Sequence, residues 1–198
     1  MEWISILTGY LLGSIPSAVW IGKKIHNTDV REFGSKNAGA TNTFRILGWK
    51  TGVLVLLVDM AKGYGAILLS MKLFDLPAHD LSIILCALAA VLGHVFPVFA
   101  GFRGGKGIAT AAGVSIALIP ISFLFLIGLF LLVFAISKYI SLSSLAAAIS
   151  LPFISYYVEG NHEIQLVIFT IIIAVIVPVT HHRNIVKLLN GTERKIRY

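Results

Sequence analysis

Two glycine-rich, basic stretches contain the residues best suited to chemistry. They run from 34 to 45, with the sequence Gly-Ser-Lys-Asn-Ala-Gly-Ala-Thr-Asn-Thr-Phe-Arg, and from 101 to 107, with the sequence Gly-Phe-Arg-Gly-Gly-Lys-Gly. Glycine-rich backbone can direct several N–H groups at one anion, and a nearby Lys or Arg supplies positive charge. Each stretch also adjoins a long apolar run. The pattern indicates two phosphate-binding segments at a membrane surface.

The composition is that of a membrane protein. Hydrophobic residues make up 57% of the chain and charged residues only 13%, against about 25% charged residues in a soluble domain. The 198 residues suffice for about seven spans of roughly 20 residues if the connections are short. We therefore predict an all-α integral membrane protein. Residues 1–198 are expected to form one domain, a compact bundle of about seven transmembrane helices with glycine-rich cytoplasmic loops.

The apolar runs locate these helices along the chain. The first lacks the positively charged start of a cleavable signal peptide, so it is predicted to remain as a helix. One run is short for a full crossing and is expected to tilt or to enter from a buried loop. Pro120 separates it from the next run. The runs lie near 3–22, 51–72, 80–98, 107–119, 121–137, 141–158 and 163–180.

The charge distribution agrees with seven spans. Cytoplasmic connections are enriched in Lys and Arg, and with seven spans every basic residue except Lys62 and Lys72 falls on one side. This arrangement predicts an external N-terminus and a cytoplasmic C-terminus. Positive charge near membrane ends is ordinary topology, however, and by itself indicates no substrate. The opposite side carries Glu2, Asp75, Asp80, Glu159 and Glu163.

The cytoplasmic connections also carry uncharged hydrogen-bonding groups. A simple anchor needs none at the hydrocarbon boundary, where an unsatisfied polar group costs several kcal/mol. Four such connections can converge on one site. Their polar residues are Ser35, Asn37, Thr41 and Asn42 in the first, the four glycines of 101–107 in the second, Ser141, Ser143 and Ser144 in the third, and His181 and Asn184 in the last.

Several common sites do not match the sequence. Lys106 is followed by Gly107, so a nucleotide-binding P-loop is not formed. The Gly-x-Ser-x-Gly nucleophile motif is absent as well. His181 and His182 are adjacent and lack an acidic cluster, so we expect no metal site. We also expect no cofactor and no nucleic-acid partner, because anionic lipid headgroups explain the basic residues more simply. Cys86 is interpreted as a packing residue.

Three ionisable residues interrupt the apolar runs. Asp59 and Lys62 have i,i+3 spacing, which places them on one helix face. They could form an internal ion pair that fixes helix packing or one wall of the active site, and the sequence favours neither. His94 lies three residues before Pro97 and is interpreted as a hydrogen-bonded packing residue.

Five motifs occur in order along the chain. They are residues 34–45, Asp-Met-Ala-Lys-Gly at 59–63, Gly-His-Val-Phe-Pro-Val-Phe at 93–99, Arg-Gly-Gly-Lys-Gly at 103–107 and His-His-Arg-Asn-Ile at 181–185. Together they resemble the bacterial acyl-phosphate:glycerol-3-phosphate acyltransferases, and the resemblance extends from Leu12 to Glu193. The chain departs from the family pattern at two positions. Lys36 stands where the family more often has Gly, and Arg103 stands where it more often has Lys.

The resemblance implies a reaction and a location. A fatty acyl group would pass from acyl phosphate to the 1-hydroxyl of glycerol 3-phosphate, giving lysophosphatidic acid and inorganic phosphate in the first acylation step of phospholipid biosynthesis. The enzyme would lie in the bacterial plasma membrane with its active site facing the cytoplasm. Besides its two substrates, membrane lipid would be its partner. Acyl-chain preference and oligomeric state are not indicated.

The resemblance and the residue types together suggest roles in the site. We expect catalytic roles for Arg45, Lys106, His181 and Ser144. The substrate phosphates would be bound by Ser35, Asn37, Gly39, Thr41, Asn42, Gly104, Gly105 and Asn184. Residue types alone leave Ser144 open as a helix N-cap, and Asn184 and Glu193 open as residues that only secure the tail.

An acyl phosphate is a mixed anhydride whose leaving phosphate needs little assistance. Orientation and charge stabilisation can therefore suffice, without a covalent acyl-enzyme. Either His181 or the donor's own phosphate could accept the proton. A small phosphate transporter is the main alternative function, and a non-enzymatic membrane assembly factor is another. A transporter would be expected to carry polar groups on both membrane sides around a midplane site, whereas this sequence concentrates them on one side.

Overall fold

A computed structural model describes residues 2–78, 80–160 and 162–196, and all regular secondary structure in them is helical, with no β-strand. Contacts divide the chain into two compact units, residues 1–118 and 119–198. The all-helical prediction is confirmed. The expectation of one domain stays a prediction.

The first unit contains six helices within the described residues: α1 (Glu2–Gly13), α2 (Ser17–His26), α3 (Ala40–Leu47), α4 (Trp49–Phe74), α5 (Leu81–Val95) and α6 (Ile108–Leu118). The long helix α4 is central to the unit. Helix α1 packs against α4 and α5, and α6 packs against α4 and α5. A 3-10 turn at Val98–Ala100 follows α5.

The second unit contains α7 (Pro120–Ser137), α8 (Ile140–Ile154), α9 (Ile164–Thr180) and α10 (His182–Leu189). Helix α8 packs against both α7 and α9, and a π-helical turn at Ser155–Glu159 follows it. Glu159 accepts hydrogen bonds from the Ser122 N–H and hydroxyl at 2.8 and 2.9 Å. This carboxylate therefore caps the start of α7, where backbone N–H groups lack helical partners.

The apolar runs predicted from the sequence correspond to helices. Five stretches within the described residues are long and apolar enough to cross a membrane. Helices α9 and α10 form a sixth if their 62° bend is counted within one span, and α6 is a shorter apolar helix. Pro120 opens α7 at its first position, where the missing N–H costs no helical hydrogen bond.

The first span differs from the single helix expected over 3–22. Helix α1 ends at Gly13 and α2 begins at Ser17, with Pro16 between them. Proline has no N–H and disfavours a helical conformation in the residue before it. The break leaves the Ile15 carbonyl oxygen to accept a hydrogen bond from Lys62 Nζ at 2.8 Å.

Two helix pairs approach so closely that glycine is required. A Cβ added at Gly9 or Gly13 of α1 would overlap the backbone of Cys86 or Ala90 in α5. Likewise, a Cβ at Gly63 of α4 would overlap Thr110 in α6. Small residues allow this backbone contact between membrane helices, whose association relies on packing. The close contacts fix α4 and α5, the helices that support the candidate site.

Other local predictions need correction. Residues 23–50, between the first two apolar runs, were expected to form a connection, but they contain α3. Similarly, α10 follows the last apolar run, and its polar residues alternate with apolar ones at helical spacing. The N-cap interpretation of Ser144 is wrong: α8 begins at Ile140 after Tyr139, so Ser144 lies inside the helix. Short polar helices lack the long apolar run that identifies a span.

Candidate active site

Asn42 shapes the first glycine-rich stretch. Its Oδ1 atom accepts a hydrogen bond from the Ser35 N–H at 2.8 Å, and its Nδ2 atom donates to the carbonyl oxygens of Val30 and Phe33 at 2.8 and 3.2 Å. The side chain is buried. The side-chain amide thus holds the turn before α3 against that helix, and the Asn42 side chain already makes its hydrogen bonds within this loop.

The other predicted residues of this stretch lie around the start of α3. Gly39 is the N-cap residue, and its carbonyl oxygen accepts the first helical hydrogen bonds. Thr41 and Arg45 are four residues apart on α3 and therefore share a face. Both are partly buried, as is Asn37, whereas Ser35 is exposed. The stretch thus combines an exposed turn with a helix that carries a cation in its last turn.

The second glycine-rich stretch folds onto the end of α5. Gly101 and Phe102 have left-handed backbone angles, with φ of 62° and 60°. The Gly105 N–H donates to the His94 carbonyl oxygen at 3.1 Å. A Cβ at Gly104 or Gly105 would overlap His94 atoms. These glycines are therefore required for close packing, and the Gly105 amide is engaged within the protein.

The two stretches lie side by side. The Ala38 N–H donates to the Gly104 carbonyl oxygen at 3.3 Å. Arg31, which lies in the loop before the first stretch, donates from Nη1 to the Ala100 carbonyl oxygen at 2.8 Å. The structure therefore brings together two basic segments that are more than 50 residues apart in sequence. A narrow cleft is lined by Ala38 and Gly104 together with Ile15, Pro16, Ser17, Lys62, His94 and Pro97.

Asp29 holds Arg31 in this position. The guanidinium donates to both carboxylate oxygens, from Nε at 3.0 Å and from Nη2 at 2.7 Å. Lys23 Nζ lies 3.2 Å from the same carboxylate. The hydrogen bonds from Arg31 hold the pKa of Asp29 well below its usual value, and the carboxylate in turn raises the pKa of Arg31. Both groups are therefore charged at neutral pH.

Beneath the stretches, Asp59 and Lys62 form the buried ion pair that their spacing permits. Lys62 Nζ lies 2.8 Å from Asp59 Oδ1. Ser17 Oγ donates to the same oxygen at 2.6 Å. His94 Nδ1 is 3.4 Å from it, close enough for an electrostatic contact but not aligned as a hydrogen bond. The internal ion pair is therefore confirmed. Lys62 also lines the cleft, and a role of the pair as one wall of the active site stays a prediction.

The second unit contains a separate polar cluster around Glu193. This carboxylate accepts hydrogen bonds from Ser141 Oγ at 2.9 Å and from Asn184 Nδ2 at 2.8 Å, both on Oε1. The cluster secures the tail after α10 to the start of α8, as the alternative interpretation of Asn184 and Glu193 proposed. Ser144 is buried on α8, one helical turn beyond Ser141.

His181 lies between α9 and α10 and is buried. Its Nδ1 atom is 2.9 Å from the Val177 carbonyl oxygen. Because a carbonyl only accepts, Nδ1 carries the hydrogen. In the neutral ring Nε2 is then the acceptor, which is the form that a general base needs.

The chain matches known proteins over almost its whole length. The family described as glycerol-3-phosphate acyltransferase matches residues 3–191. The chain belongs to this family. A glycerol-3-phosphate acyltransferase of Fusobacterium nucleatum subsp. nucleatum is 45% identical over 193 residues, covering 98% of this chain and 97% of that protein.

Solved structures agree with the family assignment. The integral membrane glycerol 3-phosphate acyltransferase PlsY (YgiH), in its glycerol 3-phosphate form, is 36% identical with a TM-score of 0.90, covering 99% of this chain and 96% of that one. Its lysophosphatidic acid form gives a TM-score of 0.89 at the same identity, covering 99% and 95%. This protein is therefore an integral membrane acyltransferase in fold and family.

His94 is a packing residue of the acyltransferase, as the sequence predicted, because the glycines of the second stretch pack directly on it. The predicted side-chain hydrogen bond is not found for Nδ1 among the residues that the structure describes. The sequence indicated no role for Asp29 or Arg31. The Asp-x-Arg spacing was visible in the sequence, but the Ala100 partner of Arg31 is distant in sequence.

For metals, no group of three or more potential His, Cys, Asp or Glu ligands occurs in the part of the chain that the structure describes.

Proposed function

We propose that this acyltransferase transfers a fatty acyl group from acyl phosphate to the 1-hydroxyl of glycerol 3-phosphate. Lysophosphatidic acid and inorganic phosphate are the products, and the reaction takes place at the cytoplasmic face of a bacterial plasma membrane. The observation that carries the proposal is the hydrogen bond from Ala38 to Gly104, which joins two basic glycine-rich stretches. Both proposed substrates carry a phosphate, and the solved relative has glycerol 3-phosphate and lysophosphatidic acid forms.

In this reaction the hydroxyl oxygen attacks the acyl carbonyl carbon. A new ester C–O bond forms and the bond from the acyl carbon to the phosphate oxygen breaks. The hydroxyl proton passes to His181 Nε2 or to the donor phosphate, and no electrons are gained or lost. The phosphate is a good leaving group, so fixed positive charge and orientation supply most of the rate enhancement.

We assign the cationic roles to Arg45 and Lys106. An Arg can bind phosphate through two parallel N–H groups, whereas Lys acts as a point charge. Ser35, Asn37, Gly39, Thr41 and Gly104 complete the phosphate-binding set. Asn42 and Gly105 would act indirectly, because their polar groups already bond within the protein. In the second unit we assign catalytic roles to His181 and Ser144 and a supporting role to Asn184.

The test is phosphate release by purified, detergent-solubilised protein supplied with palmitoyl phosphate and glycerol 3-phosphate. Palmitoyl-CoA is tested in parallel as the donor. We expect release that depends on glycerol 3-phosphate and forms lysophosphatidic acid in equal amount. Turnover with palmitoyl-CoA but not with palmitoyl phosphate would support the acyltransferase activity and refute acyl phosphate as the donor.

A further inference from the structure

Four buried polar side chains lie under the second glycine-rich stretch. Ser17 comes from α2, Asp59 and Lys62 from α4, and His94 from α5. Three of them converge on one atom, Asp59 Oδ1, at 2.6 Å from Ser17 Oγ, 2.8 Å from Lys62 Nζ and 3.4 Å from His94 Nδ1. We call these residues the Asp59 cluster. None of them belongs to the proposed phosphate-binding set.

Stability alone does not explain an ion pair at this position. The side chains of Asp59 and Lys62 are 1% and 4% exposed and lie in the middle of an apolar helix. The desolvation of two charges offsets most or all of their attraction, and apolar residues of similar volume are often as stable. Ionisable residues inside membrane helices usually serve a function.

The cluster reaches the glycine-rich stretches through His94. The His94 carbonyl oxygen accepts from the Gly105 N–H, and the ring lies where a Cβ of Gly105 would be. Gly104 in turn accepts from the Ala38 N–H of the first stretch. A movement of His94 would therefore displace both stretches, including the backbone directly before Lys106.

We propose that Asp59 is a positioning residue for the two glycine-rich stretches. Ser17 and Lys62 fix its carboxylate, the carboxylate orients the His94 ring, and Gly104 and Gly105 pack on that histidine. The kinetic consequence rests on the proposed function, whereas the structural consequence does not. If the pair served only to hold α4 against its neighbours, loss of the pair would weaken the fold without loosening these stretches selectively.

Hydrogen–deuterium exchange of the purified full-length protein separates these two roles. The double variant Asp59→Leu/Lys62→Met removes both charges together, so that neither is left buried alone. In this variant we expect peptides covering 35–39 and 101–107 to exchange about tenfold faster or more. The melting temperature should stay within about 5 °C of the wild-type value. Exchange at wild-type rates in those peptides of the folded double variant would overturn the proposal.

Ser70→Ala is the matched control. Ser70 is buried on α4 and its Oγ lies 3.3 Å from Cys86 Sγ on α5, so the substitution removes a polar contact between the same two helices. We expect wild-type exchange in 35–39 and 101–107 for this variant. Faster exchange there, equal to that of the double variant, would contradict a role specific to the Asp59 cluster.

His94→Gln provides the test if the double variant does not fold. Its backbone carbonyl can still accept from Gly105, but the ring that faces Asp59 and Gly105 is gone. We expect the same selective increase in exchange, and unchanged exchange in the folded variant would overturn the proposal.

Kinetics supply a second readout. In the folded double variant Asp59→Leu/Lys62→Met, assayed with palmitoyl phosphate as the donor, the KM for at least one phosphate substrate should rise about tenfold or more above the wild-type value. The change in kcat should be smaller. A fall in kcat alone, with both KM values unchanged, would contradict positioning of the phosphate-binding stretches. If wild-type protein does not use palmitoyl phosphate, the proposed donor fails while the exchange measurement still decides the role of Asp59.

Discussion

At the residue scale, Arg45 and Lys106 are the cations that the two glycine-rich stretches position. Arg45 lies in the last turn of α3, and Lys106 directly follows Gly105. We expect Arg45→Ala or Lys106→Ala to lower kcat/KM by about 100-fold or more, because fixed charge near the reacting phosphates is lost. Steady-state phosphate release measures the effect. Near-normal kinetics in either variant would refute that assignment.

Lys50→Ala is the control for these two substitutions. Lys50 is exposed near the start of α4, with its Nζ 5.9 Å from the Trp49 ring centroid. Its removal lowers the positive charge by the same amount but leaves both stretches intact. A loss of activity as large as that of Lys106→Ala would indicate a general charge effect.

Lys36 occupies a backbone conformation that favours glycine. Its φ is 59°, a left-handed angle that costs a side-chain-bearing residue about 1–2 kcal/mol. Lysine at this position therefore stands in a conformation that glycine adopts readily. We expect Lys36→Gly to raise the free energy of unfolding by up to about 1 kcal/mol, since the strain relief exceeds the added chain entropy. Thermal unfolding would show a higher melting temperature.

Lys24→Gly is the opposite case. Lys24 is helical in α2 and exposed, and glycine there should lower stability by about 1 kcal/mol. A lower free energy of unfolding in both Lys36→Gly and Lys24→Gly would contradict relief of strain at position 36.

At the element scale, the contact of α4 with α6 depends on one side of α4. A Cβ at Gly63 would overlap the Thr110 backbone, whereas a Cβ at Gly65 meets nothing within 4 Å. We expect Gly63→Ala to destabilise the protein by about 1–3 kcal/mol because the helices must separate. Gly65→Ala should be neutral or stabilising by up to about 1 kcal/mol. Melting temperatures in one detergent test the pair, and equal effects would contradict the close approach.

The loop between α2 and α3 should give a pH-dependent stability. Hydrogen bonds from Arg31 lower the pKa of Asp29 in the folded protein, so the carboxylate stabilises the fold above its ordinary pKa of about 4. This contribution is lost as the pH falls toward the depressed value. We expect Asp29→Asn to cost about 1–2 kcal/mol at pH 7.

Thermal unfolding of wild type and Asp29→Asn between pH 7 and pH 3 measures this effect. The difference in melting temperature should narrow as the pH falls below about 4, where the wild-type carboxylate begins to lose its advantage. A difference that stays constant over this range would contradict the contribution of the charged form.

At the scale of the whole molecule, the charge distribution predicts which connections face the cytoplasm. Lys24 and Asp75 are both exposed and lie at opposite ends of predicted spans. In a Cys86→Ala background, we expect Asp75→Cys to react with a membrane-impermeant maleimide in intact cells. Lys24→Cys should react only after permeabilisation. The reverse pattern would overturn the predicted orientation.

The sequence alone determined the class of the protein and the locations of its apolar helices, whereas phosphate binding by the glycine-rich stretches stays a prediction. Apolar length and composition are local properties, and membrane helices must satisfy their own backbone hydrogen bonds. The i,i+3 spacing of Asp59 and Lys62 likewise predicted a shared helix face, which the ion pair confirms. The break at Pro16 was also visible in the sequence but was outweighed by the surrounding apolar residues.

Only the tertiary structure decided which distant residues meet. Three sets of contacts join segments that no shared sequence pattern links. They are the hydrogen bond from Ala38 to Gly104, the packing of Gly105 on His94, and the contacts of Glu193 with Ser141 and Asn184. Within the first unit, the positions of such contacts depend on how closely the helices pack, which the contact of Gly63 with Thr110 helps to set. Such contacts arise from packing across the fold, and no local pattern in the chain encodes them.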